Sequence, residues 1–482
     1  MTGIDAGSEL RWNGKRVTVM GLGILGGGVG AARYLAQHGA LVTVTDMRDA
    51  AALSDSIETL DDCPIAYHLG GHQVDDFTAE RADIVVRNPG VPMDSPYLTA
   101  AIDSGVRVEM EMSIFFRDCP APIIGITGSK GKTTVSALIG DILHVWKPES
   151  LLAGNMGISA LLELDRLSDT TPVALELSSF QIESLNDHHL GPHVAVITNI
   201  FPDHLDRYRD FDHYASTKRG LVESMTPDNI VIYNADDVEA SKVTDLTNAR
   251  LLPFGIGGNR GDGAWLVGDD LTIRQRETLL TFSRPDVLSL GGDHGARNAL
   301  AAIAAAYAYG TPEWAIAEAL GRFSGVENRL EVVAKIDGVM YVNDTSATAP
   351  EAAVAGIRVL SPRANRLHVI AGGADKRTNL TPFADELAVA DALVYLLEGT
   401  VTPSLAVLLT KRGIEISGTF DSMASAVRAA STRAQPGDII ALCPACASFG
   451  MFRNEFDRGE QFRRATLAID TNRAPRTRNP EP

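Results

Sequence analysis

The 482-residue sequence lacks several features that would assign it to a whole class of protein. No apolar run approaches the roughly 18 to 20 residues that a membrane-spanning helix needs. The first residues contain no apolar core typical of a secretory signal, so we expect a cytoplasmic protein without membrane insertion. Only 4 cysteines are present, too few for a disulfide framework in a chain of this length.

Positive charge is also scarce. The 43 lysines and arginines are outnumbered by 61 aspartates and glutamates, which gives a formal net charge of −18. An acidic surface repels a polyanion and cannot gain free energy by releasing its counterions, so we expect no nucleic-acid partner. An anionic small molecule would need locally placed cations, backbone amides or a metal ion.

The sequence does contain a repeated alternation of short Val/Ile/Ala-rich runs and helical patterns. This alternation is typical of βαβ units and predicts an α/β fold with mainly parallel sheets. The length favours about three domains. We place them at 1–119, 120–326 and 327–482, with a linker near Pro120 and Pro122.

The first glycine-rich loop, GLGILG at 21–26, fits G-x-G-x-x-G between a predicted strand and a predicted helix, and Asp46 ends the next strand. Such glycines let backbone amides at a helix start approach a pyrophosphate, and the aspartate can bind a polar ribose or base. The pattern is typical of Rossmann oxidoreductases, but other nucleotide-binding folds and tight turns also contain it.

The second glycine-rich loop, GITGSKGKTT at 125–134, follows an apolar run and precedes a helical pattern. It lacks the first glycine of the P-loop pattern G-x-x-x-x-G-K-[ST], because Ile126 stands there. Gly128 and Gly131 still allow the backbone amides to surround a phosphate. Lys132 can bind the outer phosphates, and a following threonine hydroxyl can bind Mg²⁺. The alternative is a flexible turn with a solvated lysine.

Acidic side chains and a histidine follow predicted strands of the central domain. Glu176 lies in the apolar run PVALEL, where a carboxylate is costly unless a cation is near, although a half-exposed strand would also explain it. Asp203, His204 and Asp206 follow AVITNI. Because strand ends carry ligands in open α/β sheets, His204 is a candidate metal or phosphate ligand, whereas the aspartates could cap a helix.

The pair Cys443 and Cys446 in CPAC follows a late predicted strand. No second ligand pair lies at a suitable spacing for zinc. We therefore predict a substrate-binding loop at a strand end and not a redox or zinc site.

Together these motifs resemble the Mur ligase family, ATP-dependent enzymes that build the peptide of peptidoglycan precursors. The family typically has G-x-T-G-x-x-G-K-[ST] in its phosphate loop, and GITGSKGKTT is similar to it. Further matches run in order along the chain: AGNMG, LELSSFQ, NIFPDHLDRY, YASTK, RNALAA, NRLE, NDTSATAP, AGGADK and PACASF. ELSSFQ, NDTSAT and GGADK look most like the members that add D-glutamate. Members that add L-alanine or a diamino acid are the alternative.

The resemblance implies three small-molecule substrates: UDP-N-acetylmuramoyl-L-alanine, ATP and D-glutamate. They would bind an N-terminal Rossmann-like domain, a central P-loop ATPase-type domain and a C-terminal Rossmann-like domain, respectively. The reaction would pass through an acyl phosphate and a tetrahedral intermediate in a monomeric enzyme. Two Mg²⁺ ions are implied, one bound through Lys218 carried as a carbamate, although residue type alone favours a solvated lysine there. The oxidoreductase interpretation of GLGILG then falls away.

The resemblance also implies roles for individual residues. The UDP-substrate group is Ile24, Leu25, Asp46, Met47, Arg48, Asn88, Gly90 and Asn155. The ATP group is Gly128, Ser129, Lys130, Gly131, Lys132, Thr133, Thr134, Asn298, Arg329 and Asp344, the last of which would contact the ribose or position a hinge. The metal group is Thr133, Glu176, His204 and Lys218, and the D-glutamate group is Thr348, Lys376 and Ser448. The candidate catalytic residues are Lys132, His204, Lys218 and Arg329.

The chain departs from the family pattern at three positions. Asn328 stands where a histidine is usual, Ser346 where a lysine is usual, and Gly450 where an acidic residue is common. The contacts of those family residues are therefore lost or replaced, and the phenylalanine that usually covers the glutamate is not assigned.

Overall fold

The computed structural model describes residues 11–22, 26–155, 159–205, 207–257, 261–287, 290–375 and 378–472. In these ranges the chain forms three β-sheets flanked by α-helices. It divides into two compact units, the first formed by Met1–Arg284 with Ala296–Phe323 and the second by Pro285–Gly295 with Ser324–Pro482. The first two sheets belong to the first unit and the third sheet to the second.

The first sheet has five parallel strands in the order β3-β2-β1-β4-β5. They are β1 Arg16–Met20, β2 Leu41–Asp46, β3 Ile65–Leu69, β4 Ile84–Arg87 and β5 Arg107–Glu109. The helices are α1 Gly27–Gln37, α2 Ser54–Thr59, α3 Pro96–Asp103 and α4 Glu111–Asp118. Strand order reverses between β1 and β4, and open α/β sheets bind ligands at the carboxyl ends of strands at such a switch point.

The second sheet has nine strands in the order β14-β13-β12-β11-β10-β9-β6-β8-β7. They are β6 Ile123–Thr127, β7 Leu151–Gly154, β8 Val173–Glu176, β9 Val194–Ile197, β10 Ile230–Asn234, β11 Arg250–Gly255, β12 Gly263–Val267, β13 Asp270–Gln275 and β14 Thr278–Ser283. The strands from β7 to β12 pair in parallel, and β12, β13 and β14 pair antiparallel. Because β6 lies between β8 and β9, the ends of all three strands flank the loop that follows β6.

The helices that follow the strands of the second sheet are α5 Lys132–Trp146, α6 Ser179–Asp187, α7 Phe211–Gly220, α8 Val238–Ser241, α9 Gly292–Tyr309 and α10 Glu313–Arg322. Strands β6, β8 and β9 are buried along their whole length, as expected for parallel strands covered on both faces. The alanine-rich stretch of helix α9 is also buried on all sides, since every side chain from Ala299 to Ala306 is fully buried.

The third sheet has six strands in the order β15-β16-β20-β17-β18-β19, parallel except for the pair β15 and β16. They are β15 Glu331–Ile336, β16 Val339–Asn343, β17 Leu367–Ala371, β18 Leu393–Leu397, β19 Ile416–Phe420 and β20 Ile439–Leu442. The helices are α11 Pro350–Leu360, α12 Thr381–Val389, α13 Thr402–Thr410, α14 Met423–Arg433 and α15 Glu455–Asn472. The neighbouring carboxyl ends of β16, β20 and β17 bring together the starts of the NDTSATAP, PACASF and AGGADK segments.

The predicted α/β fold with mainly parallel sheets is confirmed. The antiparallel strands β12 to β14 were not predicted, and the boundaries at 119/120 and 326/327 stay predictions. No helix in the described ranges is long and apolar enough to cross a membrane.

Candidate active site

The loop between β6 and α5 can be closed only by glycine at two positions. Gly128 has φ +147° and Gly131 has φ +86°, conformations that L side chains rarely adopt. A Cβ atom at Gly128 would lie 1.9 Å from the Thr198 Oγ1, and one at Gly131 would lie 2.4 Å from the Asn298 Oδ1. The loop is therefore packed directly against the end of β9 and against α9, which places the candidate ATP residue Asn298 beside it.

Asn199, which sequence reasoning did not single out, holds the loop on the β9 side. Its carbonyl oxygen accepts a hydrogen bond from the Ser129 N–H at 2.9 Å, and its Oδ1 accepts one from the Lys130 N–H at 2.8 Å. Its Nδ2 donates back to the Lys130 carbonyl at 2.9 Å. One asparagine thus fixes two successive residues of the loop.

The loop presents positive charge at the start of α5, the 15-residue helix that begins at Lys132. The first four N–H groups of a helix have no partner within the helix and carry its positive dipole end, so they attract an anion. The Lys132 Nζ donates to the carbonyl oxygens of Gly128 and Ser129, at 2.8 and 3.3 Å. The Lys130 Nζ lies 3.3 Å from the Asp203 carboxylate. This arrangement suits a phosphate chain.

A buried carboxylate lies beside the loop with half of its hydrogen-bonding capacity unused. Glu176 ends β8 and is 3% exposed. Its Oε1 accepts a hydrogen bond from the Asn155 Nδ2 at 3.4 Å, whereas its Oε2 has no hydrogen-bond partner in the part of the chain that the structure describes. Because an unpartnered buried carboxylate oxygen is costly, this atom fits a cation. The half-exposed alternative for Glu176 is wrong.

Lys218 lies buried in α7, 2% exposed, so the interpretation as a solvated helix lysine is also wrong. Its Nζ donates to the Thr127 Oγ1 at 3.3 Å and lies 5.2 Å from the centroid of the Tyr214 ring. Burial, and next the charge of Lys132, hold the pKa of Lys218 well below its ordinary value. The unprotonated amine is the nucleophilic form of lysine, so the shift has the direction that carbamate formation requires.

The other two candidate metal ligands differ in exposure. Thr133 lies half-buried in the first turn of α5. His204 is exposed, has a left-handed backbone (φ 52°), and its ring meets the edge of the Phe180 ring at a centroid distance of 5.0 Å. No group of three or more His, Cys, Asp or Glu side chains suited to a metal ion occurs among the described residues.

Three of the candidate UDP-binding residues, Asp46, Arg48 and Asn88, lie at the switch point of the first sheet. Asp46 accepts hydrogen bonds from the Leu22 N–H at 3.1 Å and from the Arg48 Nη2 at 2.9 Å. Although burial opposes ionisation, the Arg48 side chain and amide hold the pKa of Asp46 below its ordinary value. A Cβ atom at Gly21, which has φ +85°, would lie 3.6 Å from the Asn88 Cβ and 3.9 Å from the Asp46 Oδ2. The loops after β1, β2 and β4 therefore meet here.

The remaining residues of the UDP group are less enclosed. Met47 is 64% exposed, and Gly90 donates its N–H to the Asn88 Oδ1 at 3.0 Å. Asn155 lies on the second sheet beside Glu176, as described above. Ile24 and Leu25 lie outside the described residues, as do Asp206 and the D-glutamate candidate Lys376.

In the second unit, Asp344 supports the segment that carries Arg329. Its Oδ1 accepts a hydrogen bond from the Leu330 N–H at 3.2 Å, and burial raises the pKa of its carboxyl to about 7. Its two predicted roles, contact with the ribose and positioning of a hinge, stay predictions. Asn328, where the family has histidine, accepts a hydrogen bond from the Asn343 Nδ2 at 2.9 Å.

Arg458 in α15 was missed from the sequence, where an arginine in a charged helical segment gave no signal. It is fully buried and donates to the Thr345 carbonyl at 2.9 Å, the Thr345 Oγ1 at 3.0 Å and the Cys446 carbonyl at 3.1 Å. Burial lowers its pKa to about 10. It thereby links the loops after β16 and β20, which carry the D-glutamate candidates Thr348 and Ser448.

The second sheet thus carries a glycine-closed loop at the start of a helix, and the first sheet carries a switch point where three loops meet. Comparison with known proteins agrees. Three family models match: "Mur ligase MurD-like, N-terminal domain" over residues 15–109, "Mur ligase middle domain" over 126–306 and "Mur ligase, glutamate ligase domain" over 328–446.

Curated relatives cover nearly the whole chain. A UDP-N-acetylmuramoylalanine–D-glutamate ligase from Roseiflexus sp. is 46% identical over 464 residues, 94% of this chain and 98% of that protein. A protein of the same name from Acidobacterium capsulatum is 35% identical over 457 residues, 94% of this chain and 96% of that protein. The chain therefore belongs to the Mur ligase family.

Solved structures share the fold at lower identity. The UDP-N-acetylmuramate-alanine ligase of Thermotoga maritima has a TM-score of 0.60 at 20% identity, covering 95% of this chain and 100% of that chain. A pseudomurein peptide ligase from Methanothermus fervidus has a TM-score of 0.55 at 19% identity, covering 94% of this chain and 100% of that chain. These likenesses support the three-domain α/β architecture.

The close packing of the loop predicts that Gly128→Ala abolishes measurable ATP binding in titration calorimetry, because the added methyl group collides with Thr198 and moves the loop. Gly268→Ala is the matched control. Gly268 also has positive φ (+64°) but has nothing within 4 Å of an added Cβ, so only about 1–2 kcal/mol of backbone strain is added. Equal ATP affinities in the two variants would contradict the assignment of the loop.

Proposed function

We propose that the chain joins D-glutamate to UDP-N-acetylmuramoyl-L-alanine, with ATP converted to ADP and phosphate, in the synthesis of peptidoglycan precursors. The relatives that share 46% and 35% identity along nearly the whole chain are named for this reaction. The observation that carries the use of ATP is the close-packed glycine turn at Gly128 and Gly131, beside the half-unpartnered carboxylate of Glu176. Because its proposed substrates are cytoplasmic metabolites, we place the reaction in the cytoplasm. We further propose that the protein acts as a monomer.

ATP would bind with its phosphates at residues 128–134. The amides of this loop and of the first turn of α5 would hold the phosphate oxygens. Lys132 would leave the loop carbonyls that it contacts and pair with the outer phosphates, where it stabilises the charge of the transferring group. Asn298, packed against Gly131, and Arg329 complete the proposed ATP group.

Mg²⁺ would be held by Thr133, Glu176, His204 and Lys218 as a carbamate. The unpartnered oxygen of Glu176 and the burial of Lys218 support this set. When bound, two such ions would neutralise negative charge on the phosphates. A carbamate would turn the buried lysine from a potential cation into an anionic oxygen ligand, which removes the repulsion between Lys218 and Lys132.

The loops around Asp46 would hold the UDP end of the sugar substrate, far along its length from the reacting carboxylate. Binding energy gained there can be used to orient that carboxylate for reaction.

In the proposed reaction, an oxygen of the alanine carboxylate bonds to the γ-phosphorus and ADP leaves. The D-glutamate amine then attacks the acyl carbon, and the tetrahedral intermediate expels phosphate.

D-Glutamate would bind the loops after β16, β17 and β20 through Thr348, Lys376 and Ser448. The ends of these strands are neighbours, and Arg458 links two of the loops by hydrogen bonds to Thr345 and Cys446. Both observations support a common site in the second unit. A lysine and two hydroxyl groups suit a dicarboxylate. The domain boundaries proposed above assign this site to residues 327–482.

The assay that tests the proposal is release of phosphate from ATP. We expect release only when UDP-N-acetylmuramoyl-L-alanine and D-glutamate are present together. Lys132→Ala should lower kcat by roughly 10²–10³ because it removes one cation from the transferring phosphoryl group. Lys242→Ala, which removes a half-exposed lysine paired with Glu239, should leave the rate unchanged. Faster release with L-alanine or a diamino acid would show a different amino-acid specificity, and full activity of Lys132→Ala would refute the phosphate site.

The Lys218 carbamate predicts that native mass spectrometry finds the protein heavier by one carbon dioxide, and that the Lys218→Ala variant lacks this increment. Activity of the wild-type protein should fall in carbonate-depleted buffer and return on addition of bicarbonate, because carbamates form reversibly. An unmodified mass together with bicarbonate-independent ligation would rule the carbamate out.

A further inference from the structure

Glu183 in α6 gathers three donors that come from two other segments. Its Oε2 accepts hydrogen bonds from the Arg87 Nη2 at 3.0 Å and the Arg207 Nη2 at 3.4 Å. Its Oε1 accepts one from the Tyr208 hydroxyl at 2.8 Å. The Glu183 side chain is 17% exposed and the Arg87 side chain is 1% exposed. Because the Arg87 side chain is almost fully buried, removal of its carboxylate partner would leave an uncompensated buried charge, which distinguishes this cluster from a surface ion pair.

The two arginines also share a second acceptor, the backbone carbonyl of Val91. The Arg87 Nη1 donates to it at 2.8 Å and the Arg207 Nη2 at 3.3 Å. Arg87 ends β4 and directly precedes the loop with Asn88 and Gly90, two candidate UDP-substrate residues. The cluster therefore ties that loop on the first sheet to the segment that follows β9 on the second.

The same cluster reaches the candidate metal ligand His204. The N–H groups of Arg207 and Tyr208 donate to the His204 carbonyl at 3.0 and 3.1 Å. The Arg207 guanidinium lies 4.2 Å from the centroid of the Phe180 ring, whose edge contacts the His204 ring. Glu183 thus binds the side chains of Arg207 and Tyr208, the two residues whose backbone N–H groups bond to His204.

We propose that Glu183 is a positioning residue. By binding Arg87, Arg207 and Tyr208, it fixes the loop after β4 and the segment at His204 relative to each other. The inference rests on the proposed function, since those two segments would bind the UDP-linked substrate and the metal-bound phosphates. Without the Glu183 charge, two neighbouring guanidinium groups repel each other, and both segments lose their common support.

Glu183→Gln tests the proposal because it keeps the shape of the side chain and removes its charge. We expect KM for UDP-N-acetylmuramoyl-L-alanine, and the Mg²⁺ concentration for half-maximal activity, each to rise by about 10–100-fold, the range for groups that orient metal ligands. KM for D-glutamate should stay unchanged. Direct calorimetric binding of the UDP-linked substrate should weaken in parallel.

Asp118→Asn is the matched control. The Asp118 carboxylate also accepts hydrogen bonds from an arginine and two aromatic side chains, Arg11, Trp12 and Tyr34, but none of them borders a candidate loop. Both variants should lower the melting temperature. Only Glu183→Gln should change KM for UDP-N-acetylmuramoyl-L-alanine and the Mg²⁺ concentration for half-maximal activity. Arg207→Lys, which keeps the charge and loses the guanidinium geometry, should give the same selective pattern, with less than additive effects in the double variant.

Equal constants in Glu183→Gln and Asp118→Asn would overturn the proposal. The wild-type protein separates this failure from failure of the function. Absence of phosphate release dependent on both substrates in the wild type would refute the function itself, while the calorimetric comparison of the variants would still decide the role of Glu183.

Discussion

The close approach of the loop after β6 to its neighbours is the constraint on which the rest of the site depends. At Gly128 and Gly131 the backbone lies so near Thr198 and Asn298 that no side chain fits. Asn199 forms three hydrogen bonds with the backbone of the two residues between these glycines, Ser129 and Lys130. Because β6 lies between β8 and β9, this packing also sets the loop beside Glu176, and α7 brings Lys218 to Thr127 at the loop's start. The proposed phosphate-binding turn, a carboxylate and a lysine are thus held together by backbone geometry.

Electrostatic balance at this turn would allow a protein with a net charge of −18 to bind the anionic ligand proposed for it. Positive charge is concentrated at Lys130, Lys132 and the start of α5, where helix amides add to it. Glu176 is the countercharge, with one oxygen left without a hydrogen bond within the described residues. Lys218 would add a further cation, but burial and Lys132 disfavour its protonated form. This balance of charges supports the proposal that a ligand with phosphates, together with a metal ion, completes the site.

Sequence patterns predicted the features that depend on local chain geometry. The apolar run before GITGSKGKTT is β6, the alanine-rich stretch is α9, and GLGILG leads into α1 at a switch point. Burial of Lys218 could not be predicted, because it depends on how α7 packs and the residue type favours solvent. Asn199, Glu183 and Arg458 were missed for the same reason: their partners lie far away in sequence and meet only through strand order. The antiparallel strands β12 to β14 extend the parallel part of the second sheet, and no sequence motif predicts this extension.

The central claim is that the turn at 128–134 holds ATP so that its terminal phosphoryl group is transferred to a substrate carboxylate. Its most direct test is oxygen transfer, with UDP-N-acetylmuramoyl-L-alanine labelled with ¹⁸O in the alanine carboxyl group. The account predicts that the phosphate released during ligation carries one labelled oxygen, because that oxygen bonds to phosphorus and leaves with it. Unlabelled phosphate accompanying product formation would contradict the account.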